Sequence, residues 1–283
     1  MIGEAIPEKT HAKRSPSSAK RRALCPGSVA LEAGAPRRST RYAAEGTVAH
    51  QVMELCVAEQ QDAEAYVGRV FEADGYSFTV GMEMADAVNE CLAFVNLWVD
   101  PDLGDLLMPE SAVPIGHITG EAGAEGTSDI IGISDNGTRL VVLDLKYGKG
   151  IVVFARDEFG ELNMQLAYYA LGALELVGAL YPGITDVTVG IMQPRTFNFD
   201  VVSLPVVELL EICDKLKAVE ADADAAELIA DVAGLMELGL LNPSRDACQF
   251  CGAKDTCPAR NGSFDASKPS AVADDDDFED LSV

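Results

Sequence analysis

Residues 126–146 read GTSDIIGISDNGTRLVVLDLK, and the way this stretch pairs with itself decides the fold. Two apolar, β-branched runs flank Asn136-Gly137, the strongest short-range signal for a two-residue type I′ turn. A two-residue loop fixes the register, which places Asp129 opposite Asp144 on one sheet face. Side chains paired in this way have Cβ atoms roughly 4.5–5.5 Å apart. Two carboxylates that close repel each other unless a cation lies between them. Lys146 shares the face of Asp144, about 6.6 Å further along the strand, while Leu143 and Leu145 point the other way, toward a core. Oxygen ligands of this kind suit Mg²⁺ or Mn²⁺. The lysine would stabilise the charge of a phosphoryl transition state or help orient the attacking water. The plainer alternative is a solvated hairpin face with a surface ion pair, and a β-bulge would break the register.

The 283 residues suffice for one large domain or two small ones, and 48% apolar content argues for a globular fold. No apolar run reaches the ~18 residues of a membrane span. The first residues lack the apolar region of a signal peptide, so a cytoplasmic location and no membrane partner are expected. Seven cysteines, an odd number, then read as thiols or metal ligands and not as a disulfide framework. The net charge of −25 is unevenly spread. Residues 1–41 hold nine Lys/Arg against three Glu, and the remainder holds 12 basic against 43 acidic residues. A basic arm on an acidic body can meet phosphates, but affinity for DNA should be modest and salt-sensitive.

Along the chain, residues 1–10 are expected to be disordered. Ser15 or Ser17 can cap a short helix carrying Lys20, Arg21 and Arg22 and ending at Cys25-Pro26. Residues 36–44 read as a basic linker. Gly46-Thr47 opens the helix GTVAHQVMELCVAEQ, whose Val48, Val52, Leu55 and Cys56 share a face, with His50 off that stripe. Residues 61–79 form a loop or small hairpin, and 80–99 an amphipathic helix. Residues 106–125 hold a strand containing Glu110, either metal-linked or a solvated glutamate. After Lys146, Lys149 sits in a tight loop, as a candidate phosphate contact or simply an exposed residue, and 161–180 is a strong helix. Its Gln165 and Tyr169, four residues apart, project from one face. Two strands follow in 184–204, with Arg195 between them as a candidate backbone contact, and then one long helix across 205–238. The late cluster is Cys248-x2-Cys251-x5-Cys257-Pro258. Three cysteines at this spacing form a metal-ligand pattern that needs a remote fourth partner, and Cys25, also followed by Pro, is the natural choice. Cys56, Cys91 and Cys213 fall in helical apolar patterns and read as buried thiols. Residues 261–283 end in DDDDFEDLSV, a solvating charge run.

Taken together and in order, GTVAH, GTSD, DLK, QLAYY, the early Cys-Pro and the late cysteines resemble the PD-(D/E)XK nuclease superfamily. The closer likeness is to RecB/AddB-type exonucleases that also hold an iron–sulfur cluster, a group with phage-encoded members. The resemblance covers roughly residues 11–260. It implies an α/β nuclease core, with a mixed central sheet flanked by helices and N- and C-terminal segments joined by a metal cluster. It further implies that His50 supplies an imidazole to the catalytic metal beside Asp129 and Asp144, with Glu54 as a fallback acid. Gln165 and Tyr169 would lie beside the scissile strand. Cys25, Cys248, Cys251 and Cys257 would hold a [4Fe-4S] centre, with structural Zn²⁺ as the alternative.

The expected organisation is a basic arm over 1–41, a nuclease core over 42–240, the cysteine cluster over 241–260 and a disordered acidic tail over 261–283. The expected activity is Mg²⁺/Mn²⁺-dependent hydrolysis of DNA by an exonuclease in phage recombination or repair. The tail would offer a surface to a phage single-strand-binding or annealing protein. A catalytically silent nuclease-fold module that binds DNA or a recombinase is the rival from another class. A redox-sensing cluster protein explains the cysteines but leaves the hairpin without a purpose.

Overall fold

The computed structural model describes residues 13–35, 39–229 and 231–263. Residues 1–10 and the acidic tail beyond Ser263 lie outside the described residues. The chain divides into two compact units, Met1–Ser17 with Ser39–Lys217, and Ser18–Arg38 with Ala218–Val283.

The first unit is a mixed α/β structure. A small antiparallel hairpin, β1 (Val70–Ala73) and β2 (Tyr76–Thr79), precedes a five-stranded sheet. The sheet strands are β3 (Leu106–Pro114), β4 (Glu125–Ser134), β5 (Arg139–Leu145), β6 (Asp186–Gln193) and β7 (Asn198–Pro205), in the spatial order β3-β4-β5-β6-β7. Every pairing is antiparallel except β5–β6. A parallel pair needs a long crossover, and the helix Met164–Val177 lies in it. The β4–β5 register is the one the Asn-Gly turn dictates, from Ser134↔Arg139 to Ile130↔Leu143. Asn136 (φ 57°, ψ 36°) and Gly137 (φ 83°) take the left-handed conformations of that turn, and Thr138 N–H donates to Asp135 O at 3.4 Å.

Helices cover both sheet faces. On one, the helices Arg41–Glu59 and Met82–Val95 share a core with Ile130, Val141, Leu143 and Leu145. The first of these begins before Gly46, so residues 41–44 are helix and not linker. Thr40 Oγ1 accepts Ala43 N–H at 3.2 Å and caps the exposed amides. On the other face, Met164–Val177 packs across β3, β4 and β5. It approaches β3 closely because Gly172 has no side chain: a Cβ there would stand 2.9 Å from Val113 Cβ and 3.0 Å from Pro114 O. No helix among the described residues is long and apolar enough to cross a membrane.

The second unit joins the two ends of the chain. Helices Ala19–Leu24 and Ser28–Glu32 assemble with Val232–Glu237, Arg245–Cys248 and Pro258–Ser263. Gly27 N–H donates to Leu240 O at 2.8 Å, and Arg22 meets Glu220 at 2.6 Å with both side chains almost wholly buried. The single helix expected over 205–238 is two, Val206–Glu227 and Val232–Glu237. Asp231 starts the second by accepting Gly234 N–H at 2.8 Å, an N-cap that competes with helix continuation.

Candidate metal centre and its lysine

The centre forms where the hairpin strands stop pairing. The β4–β5 ladder ends at Ile130↔Leu143, so Asp129 and Asp144 do not form the next pair. Asp129 Oδ2 instead accepts Leu145 N–H at 2.6 Å, a bond in the place of a ladder partner. β5 runs on beside β6, with Lys146 N–H donating to Met192 O at 2.8 Å. Across β4 the β3 register pairs Pro109 with Ile130 and Ser111 with Ser128, which sets Glu110 opposite Asp129 without a bridge. Glu110 holds φ at 41°, a conformation that costs a non-glycine residue on the order of 1–3 kcal/mol.

His50 reaches this point from the helix Arg41–Glu59. Its Nδ1 lies 3.1 Å from Asp129 Oδ1 and 3.3 Å from Glu110 Oε1. The three residues each offer a ligand atom within 4.8 Å of the others. Glu110 Oε1 is buried and has no hydrogen-bond partner, so its contact with the imidazole is an ion contact without donor alignment. A buried carboxylate oxygen in that state has lost its hydration. The donor set of one imidazole and two carboxylates fits a divalent cation. Burial by itself would lower the His50 pKa, but Asp129 and then Glu110 outweigh it and push it up to about 10. Without a metal, the imidazole carries a proton that compensates the two acids.

Asp144 lies outside this three-residue group and is held from the other side. Its Oδ2 stands 2.8 Å from Lys146 Nζ, and its Oδ1 accepts Gln165 Nε2 at 3.1 Å. Lys146 Nζ donates to Gln165 Oε1 at 3.0 Å, and Gln165 Nε2 also approaches Tyr169 Oη at 3.1 Å. The four expected residues are thus one hydrogen-bonded chain. Burial raises the Asp144 pKa to about 6; Lys146 opposes that rise and Asp129 adds to it. Burial works to lower the Lys146 pKa, but the Asp144 charge outweighs it and holds the ammonium above its usual value. The helix cap places Gln165: Asn163 Oδ1 accepts its N–H at 3.0 Å. Gly126 of the GTSD stretch leaves room for Tyr169, since a Cβ there would stand 3.2 Å from the Tyr169 ring and 2.9 Å from Pro16.

Two expected phosphate contacts are occupied by acids. Lys149 pairs with Glu83 at 2.9 Å, and Arg195 pairs with Glu83 and Glu45, each at 3.1 Å. Glu54 is exposed and outside the three-residue group. Glu110 is the site residue that sequence reasoning leaves undecided. The signals for it are the acidic residue that the resemblance implies on the first sheet strand and its count along β3, which has meaning once the β3–β4 register is known.

The four cysteines of the late cluster and the N-terminal helix all lie in the second unit. Among the described residues no three of their thiols approach within 4.8 Å, so they are not arranged as the compact tetrahedral set that zinc requires. Burial raises the Cys25 pKa, and the Cys248 and Cys257 charges add to the rise. Burial likewise pushes the Cys251 thiol up to about 11, with a further contribution from Cys248. Asn242 N–H donates to Cys25 Sγ at 3.3 Å. Cys56, Cys91 and Cys213 are buried thiols.

A solved chain described as the crystal structure of SSO0001 is similar to this one. The identity is 14% over 90% of this chain and 89% of that one, with a TM-score of 0.34. A family model described as a protein of unknown function, DUF2800, matches residues 11–279. With nearly its whole length matched, the chain belongs to the DUF2800 family.

Proposed function

We propose that the protein is a Mg²⁺- or Mn²⁺-dependent deoxyribonuclease with a PD-(D/E)XK core, acting as an exonuclease in phage DNA recombination or repair. One observation carries this reading: an imidazole and two carboxylates converge at ligand spacing, next to a chain of a buried carboxylate, a half-buried ammonium and a half-buried amide. His50, Glu110 and Asp129 would hold the ion, and Asp144 adds negative charge beside them. A divalent ion held there would supply Lewis-acid stabilisation of a phosphoryl oxygen. Lys146 supplies positive charge for the phosphoryl group and is kept in place by Asp144 and Gln165. Gln165 and Tyr169, fixed to each other, orient the strand. The resemblance supports the choice of DNA and of exonuclease action.

The cysteines are assigned to a [4Fe-4S] centre in the second unit. Cys25, Cys248, Cys251 and Cys257 would supply its thiolate ligands. What supports the assignment is the ligand pattern of the sequence together with the common placement of the four cysteines in one unit, although among the described residues no three of the thiols converge. Zinc remains the alternative. Iron and acid-labile sulfide analysis of anaerobically purified protein decides between them.

The test of the activity is incubation of linear DNA with Mn²⁺ and the protein, beside Asp144→Ala. The expected result is cleavage by the native protein and none by the variant. Cleavage that survives in the variant, or is absent from both, overturns the proposal. The net charge of −25 favours a second reading, a DNA- or recombinase-binding module without cleavage, and absence of cleavage with retained binding selects it.

A further inference from the structure

The metal centre is shared between a sheet and a helix. β3 and β4 carry Glu110 and Asp129, and the helix Arg41–Glu59 carries His50. Val48, Val52 and Met53 of the helix share one core with Val141 and Leu143 of the sheet. Apolar packing is non-directional, whereas a ligand set has to be held within about 0.5 Å of its working geometry. Arg195 supplies a directional link between the two elements. It stands in the turn Pro194–Thr196 between β6 and β7, beside the strand end where Lys146 N–H donates to Met192 O at 2.8 Å. Its guanidinium lies over the Tyr147 ring, 4.7 Å from the centroid, and is thereby fixed to the residue that follows the lysine. From there Nη1 donates to Glu45 Oε2 at 3.1 Å. Glu45 lies five residues before His50 in the same helix, about 7.5 Å along its axis.

The contact with Glu45 differs from an ordinary surface ion pair. The Arg195 side chain is 13% exposed and that of Glu45 29%, so solvent and salt screen their attraction only in part. Glu83, the second acid on the guanidinium, is 66% exposed and is shared with Lys149. A pair that open to water contributes little. Arg195 Nε is buried with no hydrogen-bond partner among the described residues. An unsatisfied buried donor is unfavourable, so the orientation of the guanidinium follows its Nη contacts and the Tyr147 ring and not the satisfaction of every donor. Lys146 has its own ties to Asp144 and Gln165. What Arg195 adds is a hold on the helix.

We infer that Arg195 is a positioning residue for the metal centre, holding the His50 helix in place against the carboxylates of β3 and β4 through Glu45. This rests on the reading of His50, Glu110 and Asp129 as metal ligands. The variants are Arg195→Gln, Glu45→Gln, the double variant, and Glu83→Gln, which removes the exposed acid and leaves the link to the helix. Cooperative urea unfolding confirms that each is folded. Mn²⁺ affinity is measured by calorimetry at one pH. In metal-free protein, ¹⁵N NMR of labelled histidine follows the exchange of His50 Nδ1–H with water, which reads its contact with Asp129 directly. The chain has three histidines, and His50→Asn identifies the signal.

Arg195→Gln and Glu45→Gln should each weaken Mn²⁺ binding by about tenfold and speed the exchange of His50 Nδ1–H by at least about tenfold. The double variant should lose no more than either single one, because both changes cut the same link. Glu83→Gln should leave the affinity and the exchange at native values. Native affinity and native exchange in Glu45→Gln overturn the inference, as do equal losses in Glu83→Gln, which would mark a general loosening. Should Arg195→Gln not fold, Glu45→Gln decides alone, since it keeps the guanidinium and its other partners. If the native protein binds Mn²⁺ without cleaving DNA and the Glu45 effects remain, the nuclease reading falls and the positioning role stands. If cleavage occurs and Glu45→Gln changes neither readout, the positioning role falls and the nuclease reading stands.

Discussion

Binding of Mn²⁺ at the three-residue centre should expel a proton. In the metal-free protein Asp129 and Glu110 hold the His50 pKa at about 10, and a metal takes only neutral imidazole. At pH 7 removing that proton costs roughly 4 kcal/mol, which the coordination must exceed. Between pH 6.5 and 8 each metal bound should release one proton, and affinity should rise about tenfold per pH unit. Below that range Asp144, held at about 6 by burial, also takes up a proton, so the dependence should steepen. Isothermal titration calorimetry in two buffers of different ionisation enthalpy reads the proton count directly. His50→Asn should bind more weakly and release none in the same range. A pH-independent affinity with no proton exchange in the native protein would refute the reasoning.

Three further outcomes follow from the geometry. Lys146→Met removes the charge that offsets burial and Asp129, so the Asp144 titration seen by carboxyl ¹³C NMR in metal-free protein should move above 6; an unchanged or lower midpoint contradicts the pairing. In metal-free protein the contribution of His50 to stability is complete below pH 6.5 and lost as pH rises through about 10, whereas that of Asp144 is greatest below pH 3.8 and lost as pH rises through about 6. Urea midpoints of the native protein and Asp144→Asn should therefore differ less at pH 4 than at pH 7. Gly172→Ala should destabilise by about 1–3 kcal/mol through overpacking against Val113 and Pro114, although in an open helix the same change stabilises by about 1 kcal/mol. Denaturant unfolding gives the sign.

The hairpin was legible because Asn136-Gly137 carries its own conformational instruction and the alternation of residues does the rest. That Leu143 and Leu145 enter one core while Asp144 faces the Gln165 helix follows from the same parity. The detail of the site was less legible. The expectation of a facing Asp129–Asp144 pair assumed that the ladder continues, but the Asp129 carboxylate takes Leu145 N–H and the pair never closes. Glu110 could not be assigned, because its place depends on a long-range β3–β4 register and on a left-handed backbone that nothing in its neighbours announces. The His50 helix starts at Arg41 and not at Gly46 because Thr40, in a run of arginines that reads as linker, accepts Ala43 N–H and caps it. The expected phosphate contacts of Lys149 and Arg195 are occupied by Glu83 and Glu45, partners that lie far away in the chain.

The central claim is that one divalent cation sits among His50, Glu110 and Asp129. An anomalous difference map from crystals of the protein soaked in Mn²⁺ tests it most directly. A peak at coordinating distance from His50 Nδ1 and from carboxylate oxygens of Glu110 and Asp129, absent in Asp129→Ala, is the predicted result. A map with no peak there, or with manganese bound only to surface acids or to the cysteines, would contradict it.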